Sequence, residues 1–205
     1  MDTQDLQKKL MPEYRSKNPL VRKLFWSRIH KAISSADIKT GFKILDVGCG
    51  GGQLLMEISR RYKGVELHGI DVKPEYIEGL KIENCTIKVE DVRSLDFKNK
   101  YFDVVFALDT LEHIKHLKKP ITEIKRVLKS NGKFIVSAPT ETFLFKIGRL
   151  LTKGKFSEKD ALCSPHYHNA YTLIDLFKKE KLRIIEEINL PEFPVFIKVL
   201  KLSKQ

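Results

Sequence analysis

The sequence predicts an α/β fold, a doubly wound and mostly parallel sheet with helices on both faces. Three observations predict it. Apolar runs of strand length alternate with segments of helical periodicity from residue 43 to residue 139. The first run ends in "ILDVGCGGG", a glycine-rich turn that opens a helix. Near the C-terminus, "LRIIEEINL" and "FPVFIKVLKL" are separated only by "PE". A parallel crossover needs about a dozen residues or more, so this connection is a hairpin and one strand near the C-terminus runs antiparallel.

Taken in order, residues 19–36 place Leu20, Leu24, Phe25, Ile29 and Ile33 at helical spacing, an amphipathic helix with a basic outer face. "KILDV" reads as a buried strand and "GQLLMEISRRY" as the helix entered through the glycines. "VELHGID" is a second strand, "PEYIEGLKI" a second helix of this repeat and "CTIKVED" a third strand. "FDVVFAL" is a fourth strand, followed by a helix through "LEHI". "PITEIKRVLKS" is a helix that stops at Asn131-Gly132, a C-terminal signal. "GKFIVSAP" is a fifth strand, and the hairpin brings the expected total to seven.

The composition narrows the function classes. The chain of 205 residues is long enough to bury a core as one domain. No apolar run approaches the roughly 18 residues that suggest a spanning helix. The opening "MDTQDLQKKLMPEY" lacks the apolar segment of a secretory signal. Cys49, Cys85 and Cys163 are odd in number and far apart, which fits a reducing cytoplasm and no disulfide framework. No C-x-x-C pair suggests structural zinc. The net charge is +12, and the surplus lies on the flanks: residues 1–43 hold ten basic against four acidic residues, while residues 44–141 hold 16 against 15. Such flanks can attract RNA, anionic lipid or an acidic small molecule, although on charge alone a solvated lysine-rich surface is the favoured reading.

The glycine turn carries the chemistry. A phosphate-binding loop of the G-x-x-x-x-G-K-[ST] type fails, because with Gly48 as its first position the sixth is Gln53 and no lysine follows. The dinucleotide pattern G-x-G-x-x-G fails at the same residue. What stands there is D-x-G-x-G-x-G: Asp46, Gly48, Gly50 and Gly52. A carboxylate at that turn repels phosphate but accepts hydrogen bonds from an ammonium group. The second strand ends in Asp71, placed to accept both hydroxyls of a ribose. The third ends in Glu90-Asp91-Val92, where Asp91 can accept from an exocyclic amine and Val92 can pack on a base. Amino acid, ribose and base without phosphate describe S-adenosylmethionine (SAM).

At these residues the chain resembles the class I SAM-dependent methyltransferases, in the broad group that includes ubiquinone and menaquinone biosynthesis enzymes. The motifs are "ILDVGCGGG", "GIDV", "VEDV", "FDVVFALDTLEHI" and "VLKSNGKFIVSAP", and they cover roughly residues 19–137. The resemblance implies a Rossmann-like seven-stranded sheet. It implies that Asp46, Gly48 and Gly50 hold the methionine part, Asp71 the ribose and Asp91 adenine N6, with Gly52, Val72 and Val92 also at the cofactor. The backbone near Leu108 faces the sulfonium. It divides the single domain into an N-terminal helical cap (1–40), a SAM-binding core (41–138), a substrate-covering insertion (139–172) and a C-terminal helix with hairpin (173–205).

Methyl transfer from a sulfonium is a direct displacement in which the enzyme mainly aligns acceptor, methyl and sulfur. A base is needed only where the acceptor must lose a proton. His113 and His168 are the candidates. "DTLEHIKH" places Asp109, Glu112 and His113 on one face of the expected helix, a set similar to the E-x-x-E-H metal motif of some quinone O-methyltransferases and terminal-ribose 2′-O-methyltransferases. Local hydrogen bonding by Glu112 and His113 is the preferred reading, with a divalent cation as the lesser expectation. "PHYHNAYT" offers His166, His168 and Tyr171 ahead of a helix capped by Thr172, with Asp175 three residues on.

Residues 142–156, "TFLFKIGRLLTKGKF", interleave Phe143, Phe145, Ile147, Leu150 and Leu151 with Lys146, Arg149 and Lys153. That mix suits a lid over an apolar acceptor, or peripheral membrane contact through residues 143–153. The leading expectation is a cytoplasmic enzyme that methylates oxygen or carbon of a small apolar acceptor such as a quinone or lipid. RNA methylation by way of the basic flanks is the alternative, although no N-P-P-[YFW] or Pro-Cys motif is present. A SAM-binding protein without turnover stands third.

Overall fold

The central strand is β1, Lys43–Val47, and both of its faces are covered. Leu45 and Val47 enter one apolar cluster and Ile44 the other, which is why the strand reads as a continuous apolar run rather than an alternating one. The computed structural model describes Tyr14, residues 17–141 and residues 165–204. Within them, α1 (Pro19–Ser35) precedes β1, followed by α2 (Gln53–Arg61), β2 (Glu66–Asp71), α3 (Pro74–Ile77) and β3 (Cys85–Val89). Then come β4 (Phe102–Leu108), a 3₁₀ turn (Leu111–His113), α4 (Lys118–Val127) and β5 (Leu128–Pro139). After residue 164 the chain continues through α5 (Ala170–Lys179), β6 (Leu182–Leu190) and β7 (Ile197–Lys204).

The strands form one sheet in the order β3-β2-β1-β4-β5-β7-β6. Neighbours from β3 to β5 are parallel, and β7 runs antiparallel to both β5 and β6. The doubly wound sheet and its single antiparallel strand are as the sequence predicts. One face is packed under α4 and α5, with Phe102, Phe134 and Phe177 fully buried; the other lies under α1 and α2, with Phe106 and Ile58. Truncating one of these phenylalanines to alanine costs about 3–5 kcal/mol. The chain steps from β1 to β2 on one side and returns to β4 on the other, so the switch point of the sheet lies at the carboxyl ends of β1 and β4, the place where such sheets bind ligands.

Several local expectations are corrected. The segment "PEYIEGLKI" is helical only over Pro74–Ile77, because Glu78 turns extended and Gly79 follows at φ +78°. The helix after residue 117 ends at Val127, not at Asn131-Gly132. Leu128 is fully buried and pairs with Phe102, which draws the chain into β5, and Asn131-Gly132 lies in an irregular stretch before Lys133 regains register with Val104. No helix runs through "LEHI"; Leu111–His113 is a single 3₁₀ turn. Asn169, not Thr172, caps α5: its Oδ1 accepts from the Tyr171 and Thr172 amides, and the Thr172 hydroxyl accepts from the Asn169 amide. The lid or membrane contact expected at residues 143–153 lies outside the described residues. Among the described residues, no helix is long and apolar enough to cross a membrane.

Candidate active site

The glycine turn is held by the strands beside it. The Gly48 and Cys49 amides both donate to the Ile70 carbonyl, at 2.8 and 2.9 Å, tying the turn to the end of β2. Gly48 has φ +70°, and a Cβ there would sit 2.5 Å from the side chain of Thr110, so neither the conformation nor the space admits another residue. Thr110 in turn directs its hydroxyl at the carbonyls of Val47 and Leu108. Gly52, at φ +75°, is the N-cap of α2.

Asp46 is 4 % exposed and Asp71 8 %. Burial, reinforced by the neighbouring Asp71 charge and opposed by Arg28, pushes the Asp46 carboxyl well above the usual carboxylate range. Burial also raises Asp71, against the amides of Lys73 and Gly50 that donate to its two oxygens at 3.0 Å. Both carboxyls are thus deficient in positive partners, the condition that favours a cationic or hydroxyl-rich ligand. Leu108 is half-buried at the end of β4 and Val92 is buried. Val72 and Val89, after β2 and at the end of β3, are each 56 % exposed. Asp91 is engaged by the Arg93 guanidinium, which holds its carboxyl below the usual range.

Beyond β4 the structure departs from the grouping expected from sequence. Asp109 has φ +49° and does not share a helical face with Glu112 and His113. Its carboxylate accepts from the Ser137 hydroxyl at 2.7 Å and is ion-paired with Arg28. Glu112 is 1 % exposed, and burial pushes its carboxyl up to about 8. Its backbone carbonyl accepts the amides of Tyr167 and His168, which brings the segment before α5 against the turn. That contact places His166 beside His113, with ring centroids 4.8 Å apart. His166 Nδ1 lies 2.6 Å from Glu141 Oε1. His168 Nε2 lies 3.3 Å from the Lys115 carbonyl.

Arg28 is the site residue the sequence reading missed. It is 4 % exposed, paired with Asp109, bonded to the Tyr14 hydroxyl, and stacked over Phe25 at 5.2 Å. The signal was available: position 28 follows Leu24 by four residues and Phe25 by three, so a guanidinium stands in the apolar stripe of α1. Cys49 is buried and its thiol is pushed far up by burial, which leaves it inert as a nucleophile.

Residues 38–188 match the model of a family described as a methyltransferase domain. A sterol 4-C-methyltransferase of Caenorhabditis elegans is 36 % identical over 101 residues, 45 % of this chain and 29 % of that protein. A ubiquinone biosynthesis O-methyltransferase of Nitrosococcus oceani is 35 % identical over 155 residues, 67 % of this chain and 61 % of that protein. The chain therefore spans less than two thirds of either relative. The fold matches the crystal structure of a SAM-dependent methyltransferase from Aquifex aeolicus with a TM-score of 0.69 at 15 % identity, over 98 % of both chains. With the family model spanning the glycine turn, both strand-end aspartates and the C-terminal helix, the chain belongs to the class I SAM-dependent methyltransferase family.

Proposed function

We propose that this chain transfers the methyl group of SAM to oxygen or carbon of a small apolar acceptor. The observation that carries the cofactor half is the pair of buried, undercompensated carboxyls, Asp46 and Asp71, flanking a glycine turn that has no phosphate-binding lysine. Asp46 receives the methionine ammonium beside Gly48 and Gly50, and Asp71 the ribose hydroxyls. Asp91 takes the adenine amine, with Val72 and Val92 against the base. The planar fork of Arg28, whose charge acts on Asp46, is suited to the methionine carboxylate. The acceptor attacks the methyl carbon in line with the sulfur near Leu108. The new bond forms as the sulfur–carbon bond breaks, S-adenosylhomocysteine leaves as a neutral thioether, and the acceptor's proton passes to solvent.

Support for an apolar acceptor comes from the rim. Tyr167, Tyr171 and Phe193, at 49, 47 and 85 % exposure, all lie toward the carboxyl end of the sheet, before or at the start of α5 and just after β6. Relatives named for a sterol and for ubiquinone biosynthesis fit the same reading. The test is incubation with methyl-labelled SAM and an extract of the source cells, followed by organic–aqueous partition. Label in the organic phase is expected. Label confined to nuclease-sensitive material would replace this reading with RNA methylation, and no incorporation despite SAM binding would leave a SAM-binding protein without turnover.

A further inference from the structure

We propose that this chain docks on an anionic lipid bilayer through the first two turns of α1 and the β6–β7 hairpin, with Leu20 and Phe193 in the acyl boundary and Lys17 and Lys23 against the headgroup phosphates. None of residues 143–153 is needed for it. The large apolar side chains that stand exposed are gathered at one end of the molecule. Among the described residues there are seven, and six lie at the carboxyl end of the sheet. Leu20 opens α1, Val72 follows β2, Val89 closes β3, Tyr167 and Tyr171 stand at the start of α5, and Phe193 turns the hairpin. Only Ile185, midway along the edge strand β6, lies elsewhere. Leu20 and Phe193 are the barest, at 75 and 85 % exposure. Scattered exposed apolar groups are ordinary, whereas a set gathered at one rim marks an interaction surface.

The course of α1 explains why Leu20 stands clear of the core. The helix runs from the carboxyl end of the sheet to the amino end: Arg28 is paired with Asp109 just past β4, and the Ala36 carbonyl accepts from Lys133, which pairs with Val104 near the start of β4. Its buried residues begin at Arg28; none of residues 19–27 is buried, and Leu24, Phe25 and Trp26 are only half-buried against the core. The turns from Arg28 back to Leu20 carry the helix about 12 Å further along its axis, beyond the rim.

The charge of this overhang selects the partner. No acidic residue stands between Tyr14 and Asp37, and Lys17, Lys23 and Lys31 are exposed. A helix that combines lysines with Leu, Phe and Trp lies in a membrane interface and is drawn there by anionic headgroups. An RNA backbone would answer the lysines but would leave Leu20, which has no ring to stack on a base, in water. Docked in this way, the site faces the bilayer, because the helix that carries Leu20 also carries Arg28. An apolar acceptor then passes from lipid to the methyl group without crossing water. That consequence rests on the methyl-transfer reading above, whereas docking itself does not.

The test is co-sedimentation of the purified full chain with vesicles of phosphatidylcholine and phosphatidylglycerol in equal parts, and of phosphatidylcholine alone. SAM binding is measured on every variant as the check of fold. Binding to the mixed vesicles is expected, weaker by at least about tenfold on phosphatidylcholine alone and falling with salt. Leu20→Gln and Phe193→Gln should each weaken it about tenfold. Leu20→Gln keeps the helix cap, since it is the backbone amide of residue 20 that donates to Asn18. Lys17→Glu with Lys23→Glu should weaken binding at least about tenfold. Ile185→Gln, away from the rim, should stay within about twofold. Should Phe193→Gln lose SAM binding, Leu20→Gln decides. Native protein that binds SAM but not the mixed vesicles overturns the proposal, as does binding that Leu20→Gln leaves unchanged or that Ile185→Gln weakens equally. Binding of a mixed-sequence single-stranded RNA in place of the vesicles overturns it too, and gives the lysines of α1 to RNA. Vesicle binding without SAM binding would instead sink the methyl-transfer reading and leave the docking surface standing.

Discussion

At the carboxyl end of the sheet, burial pushes the carboxyls of Asp46, Asp71 and Glu112 upward; at the amino end, donors draw those of Asp37 and Glu66 down to about 2. Asp37 accepts from Lys133 and Lys201, and Glu66 from the Tyr101 hydroxyl, with His68 and Lys43 beside it. Both ends belong to the same parallel strands, so strand sequence alone does not set the difference. The amino end has its cations built in. At the carboxyl end Asp91 and Asp109 have Arg93 and Arg28, whereas Asp46, Asp71 and Glu112 are pushed up by burial, a pattern typical of ligand-binding positions rather than of groups chosen for stability.

Arg28 is the main cation set deep into the carboxyl end, and removing it is the strongest way to break the contrast. Arg28→Met leaves Asp109 uncompensated. A destabilisation of about 3 kcal/mol is expected, the lower end for a broken buried pair, because the Asp109 side chain keeps 28 % of its exposure. Asp109→Asn in the same background should recover part of it. Urea denaturation of the native chain and the two variants measures both effects. A loss under about 1 kcal/mol would class the pair with surface ion pairs.

Asp46→Asn sharpens the contrast from the other direction. It removes a carboxyl that burial destabilises, so the ligand-free protein should melt about 2–4 °C higher, the shift that about 1 kcal/mol gives in a chain of this size. The ammonium loses its charged acceptor, so SAM affinity should fall about 10- to 100-fold. Calorimetry with SAM and thermal scans without it check the two halves. A melting temperature that falls together with affinity would show that the fold itself uses this charge.

Within the carboxyl end, the two sides differ in how well the sequence reported them. Asp46, the glycines and Asp71 were legible because one strand, one turn and the next strand end place them, within 26 residues of chain. The region beyond β4 was not, because it is assembled from distant segments. Arg28 arrives from α1, and His166 arrives through the contact of its segment with the Glu112 carbonyl. Helical spacing grouped Asp109 with Glu112 and His113, but a positive φ at Asp109 turns it toward Ser137 and Arg28. Periodicity reads regular backbone, and the region beyond β4 is built where the backbone is irregular.

The smallest expected effect is the most diagnostic, because the two ends must respond to pH with opposite sign. The folded Glu66 carboxyl titrates near 2, below its ordinary 4.5, so it adds stability that is present above about 4.5 and lost as pH falls toward 2. Its side chain is 44 % exposed, and solvent screening keeps the contribution within about 1 kcal/mol. Glu66→Gln should therefore be slightly less stable than the native chain at pH 7, with the gap closing between pH 4.5 and 2. Asp46 is the reverse: a folded carboxyl raised above its ordinary 3.8 takes stability away as pH rises beyond that value. Asp46→Asn should gain on the native chain as pH rises while Glu66→Gln loses ground to it. Urea titrations of both variants from pH 2.5 to 7 give the two slopes; slopes of one sign would mean that the ends of the sheet are not divided between fold and ligand.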